Sequence, residues 1–316
     1  MPETVLVTGA AGYVGSRLMD RLLTDQAFAS ATITAVDSRP PSPEAAWAVD
    51  ARVRVLTGDI TDPELVDRIL SPKPDVVFHL AGILGGAAEA DYSLARAVNV
   101  DGSLSLFEAL CEHSGRPPRI VYASSIAVFG PPLPELVDDA SVPHPLLNYG
   151  AQKLMMETVL DQFSARGWID GIAVRLPGVV ARADADARQR SAFLNAVFHA
   201  ARNGQRFTMP VSPEGRSWLV SVPTVIDDLL HAGKLAPGRL GPSRALTMPA
   251  LVVRIGDLVD ALAEVFPHSR GMIDFAPDAE LQSQFADQPE LRTQAANDLG
   301  FFHDGTLGNL IVRALE

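Results

Sequence analysis

Short apolar runs alternate with longer stretches in which apolar residues return every three or four positions, and this alternation fills the first half of the chain. The runs are residues 4–8 (TVLVT), 31–37 (ATITAVD), 53–56 (VRVL), 75–80 (DVVFHL), 119–124 (RIVYAS) and 171–175 (GIAVR). They are rich in β-branched residues and apolar rather than alternating, the pattern of parallel strands covered on both faces. Residues 13–26, 62–70, 88–114 and 147–166 between them have helical length. The second of these opens on Thr-Asp-Pro-Glu, a capping pattern with Pro in the first turn. Strand and helix in strict succession predict an α/β fold, a Rossmann-type doubly wound parallel sheet.

After residue 176 the pattern changes. Short strands at 206–209 and 244–248 alternate with helices near 191–203, 223–235 and 256–266, punctuated by Pro and Gly. The expectation is a dinucleotide-binding domain over residues 1–176 and a smaller C-terminal α/β lobe over 177–316 that takes the substrate, with some segments returning to the sheet. Long connections in that lobe would cover a site on the sheet.

Composition narrows the partners. With 47% hydrophobic and 20% charged residues the chain reads as a soluble globular protein. A formal charge of −12 disfavours nucleic acid, whose binders concentrate Lys and Arg against phosphate. Charged residues, Pro or Gly interrupt every apolar run before it could span a bilayer, and no signal sequence is evident, so a cytoplasmic protein without a membrane partner is expected. The single cysteine, Cys111, has no internal disulfide partner, and no Cys/His spacing suggests a metal.

Candidate chemistry sits in three places. In residues 7–15, VTGAAGYVG, Gly9, Gly12 and Gly15 follow a strand and open a helix, the setting in which backbone amides meet a dinucleotide pyrophosphate. Asp37 ends the next strand, where a carboxylate accepts from ribose hydroxyls and repels a 2′-phosphate, which favours NAD over NADP, although Arg39 lies close by. Tyr149 and Lys153 are four residues apart and so share a helix face. An ammonium about 4 Å from a phenol would lower its pKa by up to about 3 units before desolvation opposes it, making Tyr149 a base. Ser125 ends the fifth strand, where ligands of parallel sheets bind, and its hydroxyl would hold the reacting oxygen for Tyr149.

The glycine turn, Ser124 and Ser125, and Tyr149 with Lys153 resemble the extended short-chain dehydrogenase/reductase family, across essentially the whole chain. The resemblance implies a catalytic set of Ser125, Tyr149 and Lys153, with Lys153 also holding the nicotinamide ribose. It implies NAD on the turn with Tyr13 and Val14, Asp59 and Ile60 at the adenine, and Leu80, Ala81 and Gly82 along the phosphate-ribose path. Pro177 would lie near the carboxamide, and Asn99 matches the family's helix asparagine. Relatives dimerise through the Tyr149 helix and the helix near 88–114, so a homodimer is expected.

A closer resemblance is to the D-erythronate dehydrogenase branch, carried by SSIAVFG (124–130), NYGAQK (148–153), DGIAVRLP (170–177), MPVS (209–212), Arg216 with Trp218, and LTMP (246–249). It implies oxidation of the C2 hydroxyl of a four-carbon sugar acid. Such a substrate needs a cation at its carboxylate, for which Arg182 and Arg216 are the candidates. Trp218 would wall the pocket, and Ser125 and Tyr149 would touch the substrate. Two other readings stand beside this one: a nucleotide-sugar epimerase that keeps its NAD, and a non-catalytic dinucleotide sensor. The sequence RLPGVV at 175–180 departs from the sugar-nucleotide motif of the epimerases, and a sensor has no need of an activated phenol.

Overall fold

The computed structural model describes residues 2–111, 116–182, 190–241 and 243–316. Each apolar run of the first half becomes a strand within a residue or two of its expected bounds: β1 (Thr4–Thr8), β2 (Thr32–Asp37), β3 (Val53–Thr57), β4 (Val76–His79) and β5 (Arg119–Ser125). A two-residue strand β6 (Leu136–Val137) precedes β7 (Asp170–Leu176). Beyond it come β8 (Gly178–Val179), β9 (Phe207–Met209), β10 (Arg216–Val220), β11 (Ala245–Thr247), β12 (Leu251–Arg254), β13 (Ile273–Phe275) and β14 (Glu290–Leu291).

The main sheet has seven parallel strands in the order β11-β7-β5-β4-β1-β2-β3. From β1 the chain winds outward through β2 to β3, then crosses back to β4 and continues the other way. The order therefore reverses between β1 and β4, paired from Val5 with Val76 to Thr8 with His79. A crevice opens beyond the carboxyl ends of strands at such a reversal.

Helices cover both faces: α1 (Tyr13–Thr24), α2 (Pro63–Ile69), α3 (Gly85–Ala90), α4 (Tyr92–Arg96), α5 (Ser103–Cys111) and α6 (Asn148–Ala165), followed by α7 (Phe193–Arg202) and α8 (Val222–Lys234). The opening of α2 is as its sequence implies, with Asp62 accepting from the Glu64 amide and Pro63 in the first turn. The single helix expected over 88–114 is instead three pieces. Asp91 ends α3 and caps α4 by accepting from the Leu94 amide, and a π-helical segment, residues 97–102, joins α4 to α5. Residues 112–114, the expected end of that helix, lie outside the described residues.

The chain past residue 177 divides its packing. Both β11, at the edge of the main sheet beside β7, and α8, which packs on α1 and on β4, β5 and β7, join the first half. The rest encloses a second apolar core. There α7 packs with α9 (Ile255–Val265) and α12 (Leu307–Ala314) around Phe198, Leu219, Ile255 and Leu310, while α10 (Ala279–Phe285) adds Leu281 and Phe285. The short α11 (Gln294–Asp298) returns Ala296 to the first core. A three-stranded sheet, β12-β10-β8, carries Trp218 over the carboxyl end of β7.

Candidate active site

A cavity of about 1150 Å³ opens at the strand-order reversal, between the main sheet and the second core. The glycine turn, with Tyr13 and Val14, lines it, as do Asp37, Asp59 and Ile60. So do Leu80, Ala81 and Gly82 beyond β4, Ser125 beyond β5, Tyr149 and Lys153 on α6, and Pro177 beyond β7. Topology thus gathers residues up to 168 positions apart in sequence onto one surface, because each follows the carboxyl end of a parallel strand or lies on α6 packed behind β5 and β7.

The turn between β1 and α1 fits a dinucleotide. Gly9 has φ of +73°, a conformation that side-chain-bearing residues rarely adopt, and a Cβ on Gly15 would lie 2.0 Å from the Gly9 carbonyl oxygen. Turn and helix can therefore approach only with glycine at both positions. The cap of α1, Gly12, offers no side-chain acceptor, and no acidic residue occupies the first turn, so the opening amides are left for an anion. Asp37 is fixed beside them: its Oδ2 accepts from the Ala11 amide at 3.0 Å and its Oδ1 from the Arg39 amide at 3.1 Å. That carboxylate can still accept from ribose hydroxyls while opposing an added phosphate. Arg39 also lines the cavity.

The phenol and the ammonium share the cavity. Lys153 is buried, its Nζ donates to the Ala123 carbonyl at 2.8 Å, and the same nitrogen stands 4.5 Å from the ring centre of Tyr122 and 5.7 Å from that of Tyr149. Its charge is thus cushioned by two aromatic rings. Tyr149 is half-buried within reach of Ser125, whose Oγ accepts from the Ala127 amide at 3.1 Å.

The electrostatics correct one expectation. In place of a phenol made acidic by its neighbour, burial pushes Tyr149 up to about 12, with only the Ser125 hydroxyl pulling down. Burial also lowers Lys153 to about 7, against the pull of Glu157. Desolvation disfavours both charged forms, so near neutral pH the lysine is only partly cationic and cannot by itself ionise the phenol.

Glu157, which sequence reasoning passed over, completes a stripe with Tyr149 and Lys153 at four-residue spacing on α6; that spacing was the available signal. Its buried carboxylate accepts from Arg175, with Nη2 to Oε2 at 2.7 Å, and from the Ser124 hydroxyl. Asn99 sits behind the cavity rather than on a solvated face. It is buried in the π-helical segment, where Oδ1 accepts from the Ile83 amide at 2.7 Å and Nδ2 donates to Gln152 Oε1 at 2.8 Å. The segment beyond β4 is thereby tied to α6. His79 is buried packing: its ring contacts the Thr8 and Ser103 hydroxyls, and burial lowers it to about 3.

The two candidate arginines part company. Arg182 lines the cavity, with its amide held by Asn195 Oδ1 at 2.9 Å. Arg216 does not: it begins β10 at the surface, where Glu290 on β14 neutralises it at 3.1 Å. Trp218 does two jobs, lining the cavity while its buried Nε1 donates to the Pro289 carbonyl at 2.7 Å. Glu280 and Gln284, which no motif had marked, line the cavity as well, as does Arg190, whose place in the Arg-Gln-Arg run at 188–190 reads as a solvated helix start.

The model of the NAD dependent epimerase/dehydratase family matches residues 5–221. The chain is 32% identical to D-erythronate dehydrogenase of Cupriavidus necator, over 99% of this chain and 98% of that protein. It is 29% identical to D-erythronate dehydrogenase of Haemophilus influenzae, again over 99% and 98%. Among solved structures it is similar to the nucleoside-diphosphate-sugar epimerase from Agrobacterium tumefaciens, with a TM-score of 0.90 and 31% identity over 98% of this chain and 92% of that one.

Proposed function

Because the chain belongs to the NAD dependent epimerase/dehydratase family, we propose that it is the dehydrogenase of a short sugar acid, oxidising the C2 hydroxyl of D-erythronate to 2-dehydro-D-erythronate. The observation that carries this reading is the convergence of Ser125, Tyr149 and Lys153 on the cavity that also holds the glycine turn and Asp37, in a chain similar end to end to two D-erythronate dehydrogenases.

When bound, NAD supplies the two-electron acceptor for the hydride on C2 and a positive charge near the phenol. The remaining work falls to the chain. Ser125 orients the C2 hydroxyl, and Tyr149, in the phenolate form that Lys153 and the cofactor's positive charge stabilise, takes its proton as the carbonyl forms and becomes the neutral phenol. Glu157 favours the charged form of Lys153 and so opposes the loss of its proton to burial. Arg182 meets the substrate carboxylate, and Trp218 walls the pocket against water. Exposed Tyr92 and Leu94 on α4 and Met155 on α6 support a homodimer through these helices, to be checked by sedimentation.

The test is to offer four-carbon sugar acids one at a time with NAD and follow NADH. Steady NADH formation with D-erythronate is the expected result, and none with any such acid would discard the reading. The likeness to a solved nucleoside-diphosphate-sugar epimerase favours a second reading, under which the protein purifies with its cofactor and releases no NADH.

A further inference from the structure

Two unsatisfied polar atoms belong to side chains that line this cavity from the chain beyond β7. Arg182 Nε and Gln284 Oε1 are buried without a hydrogen-bond partner among the described residues, and both side chains line the cavity. Buried polar atoms are nearly always paired, so an unpaired donor and an unpaired acceptor in one cavity call for a ligand that brings both complements. The other two such atoms, Tyr122 Oη and Gln152 Nε2, belong to side chains that do not line it.

The orientation of the Gln284 amide follows from its other end. Its Nε2 donates to Glu280 Oε1 at 3.4 Å, and Glu280 is itself held by Arg190 at 2.5 Å. Turning the amide over would set its oxygen against a carboxylate, so the acceptor is the atom left free. The position of Gln284 is also framed by buried structure. The next residue, Phe285, accepts from the Ser217 hydroxyl through its carbonyl and packs its ring edge-on against Phe193. Ser217 precedes Trp218 on β10, so the end of α10 is anchored to the strand that walls the cavity.

Resting on the sugar-acid reading above, we infer that Gln284 is a specificity-determining residue. Its Oε1 accepts a hydrogen bond from a substrate hydroxyl beyond C2, while Arg182 takes the carboxylate. A 2-hydroxy acid lacking those further hydroxyls would leave the amide oxygen unpaired, and a site built to accept from a hydroxyl rejects the analogue without it. The cavity thus selects short polyhydroxy acids over simple 2-hydroxy acids.

The test compares kcat/KM for D-erythronate and for 2-hydroxybutanoate, with NAD, in the wild-type protein and in Gln284→Met. The wild type is expected to prefer D-erythronate by at least about tenfold, and Gln284→Met to lose at least about tenfold on D-erythronate while changing little on 2-hydroxybutanoate. NAD binding reports an intact fold, and Gln284→Leu serves as the second apolar variant should Gln284→Met fail to bind it. A wild type without preference, or a variant that falls equally on both acids or on neither, overturns the inference and leaves the sugar-acid reading standing. A wild type that oxidises neither acid removes both.

Discussion

Replacing Lys153 with methionine tests the electrostatics of the site apart from its chemistry. The ammonium is buried, and its pKa falls from the ordinary 10.5 to about 7 because desolvation outweighs the attraction of Glu157. Between those two values the unfolded chain holds a proton that the folded chain has released. Stability therefore rises with pH across that window, and the penalty is fully present only below the folded value. Integrated from about pH 6.5 to about pH 10, the shift amounts to about 4 kcal/mol gained by the wild type and not by Lys153→Met. Urea unfolding of the cofactor-free proteins at a series of pH values measures this. The curves should converge or cross as pH rises, with the variant favoured at the acidic end. Parallel curves would refute the reasoning, since they would mean that the ammonium keeps its ordinary pKa and that the cavity is wet around it.

Other outcomes follow from single contacts. Tyr149→Phe should cost about 100- to 10,000-fold in kcat while NAD binding, measured by fluorescence titration, persists. Gly15→Ala places a Cβ 2.0 Å from the Gly9 carbonyl, so turn and helix must move apart. Weakened NAD binding and a stability loss of about 1–3 kcal/mol in urea are expected. Asp228, buried on α8, has its carboxyl raised to about 8, first by desolvation and then by Asp227 and Asp304, against the Phe302 amide and Arg313. The unfolded carboxyl ionises near its ordinary 3.8 and the folded one only near 8, so this group's contribution is lost as pH rises through that interval. Asp228→Asn should flatten the thermal-unfolding profile there.

The central strands were legible because their apolar runs are buried on both faces, and the edge strand β3, only partly buried, because it keeps the same β-branched run. The glycine turn and the Tyr149–Lys153 spacing were legible because each is a local constraint, fixed by one turn or one helix face. What escaped depends on contacts between distant segments. Nothing in the apolar pattern of residues 88–114 reveals that Asp91 ends α3 and caps α4, or that Asn99 would pair with Gln152. The return of β11 to β7 is a pairing between two three-residue registers some 70 positions apart, below what periodicity resolves. Arg182 and Arg216 look alike in sequence, and only the position of Glu290 separates them. The sign of the Tyr149 shift was missed for a related reason: spacing supplies the charge, whereas burial, which wins here, is a property of the assembled cavity.

The most direct measurement follows the hydrogen on C2. D-erythronate carrying deuterium at that carbon, incubated with the protein and NAD, should yield reduced cofactor bearing the deuterium together with the 2-dehydro acid, and Tyr149→Phe should all but abolish both. Deuterium retained on the acid with no reduced cofactor, or equal transfer by the phenylalanine variant, would contradict the account.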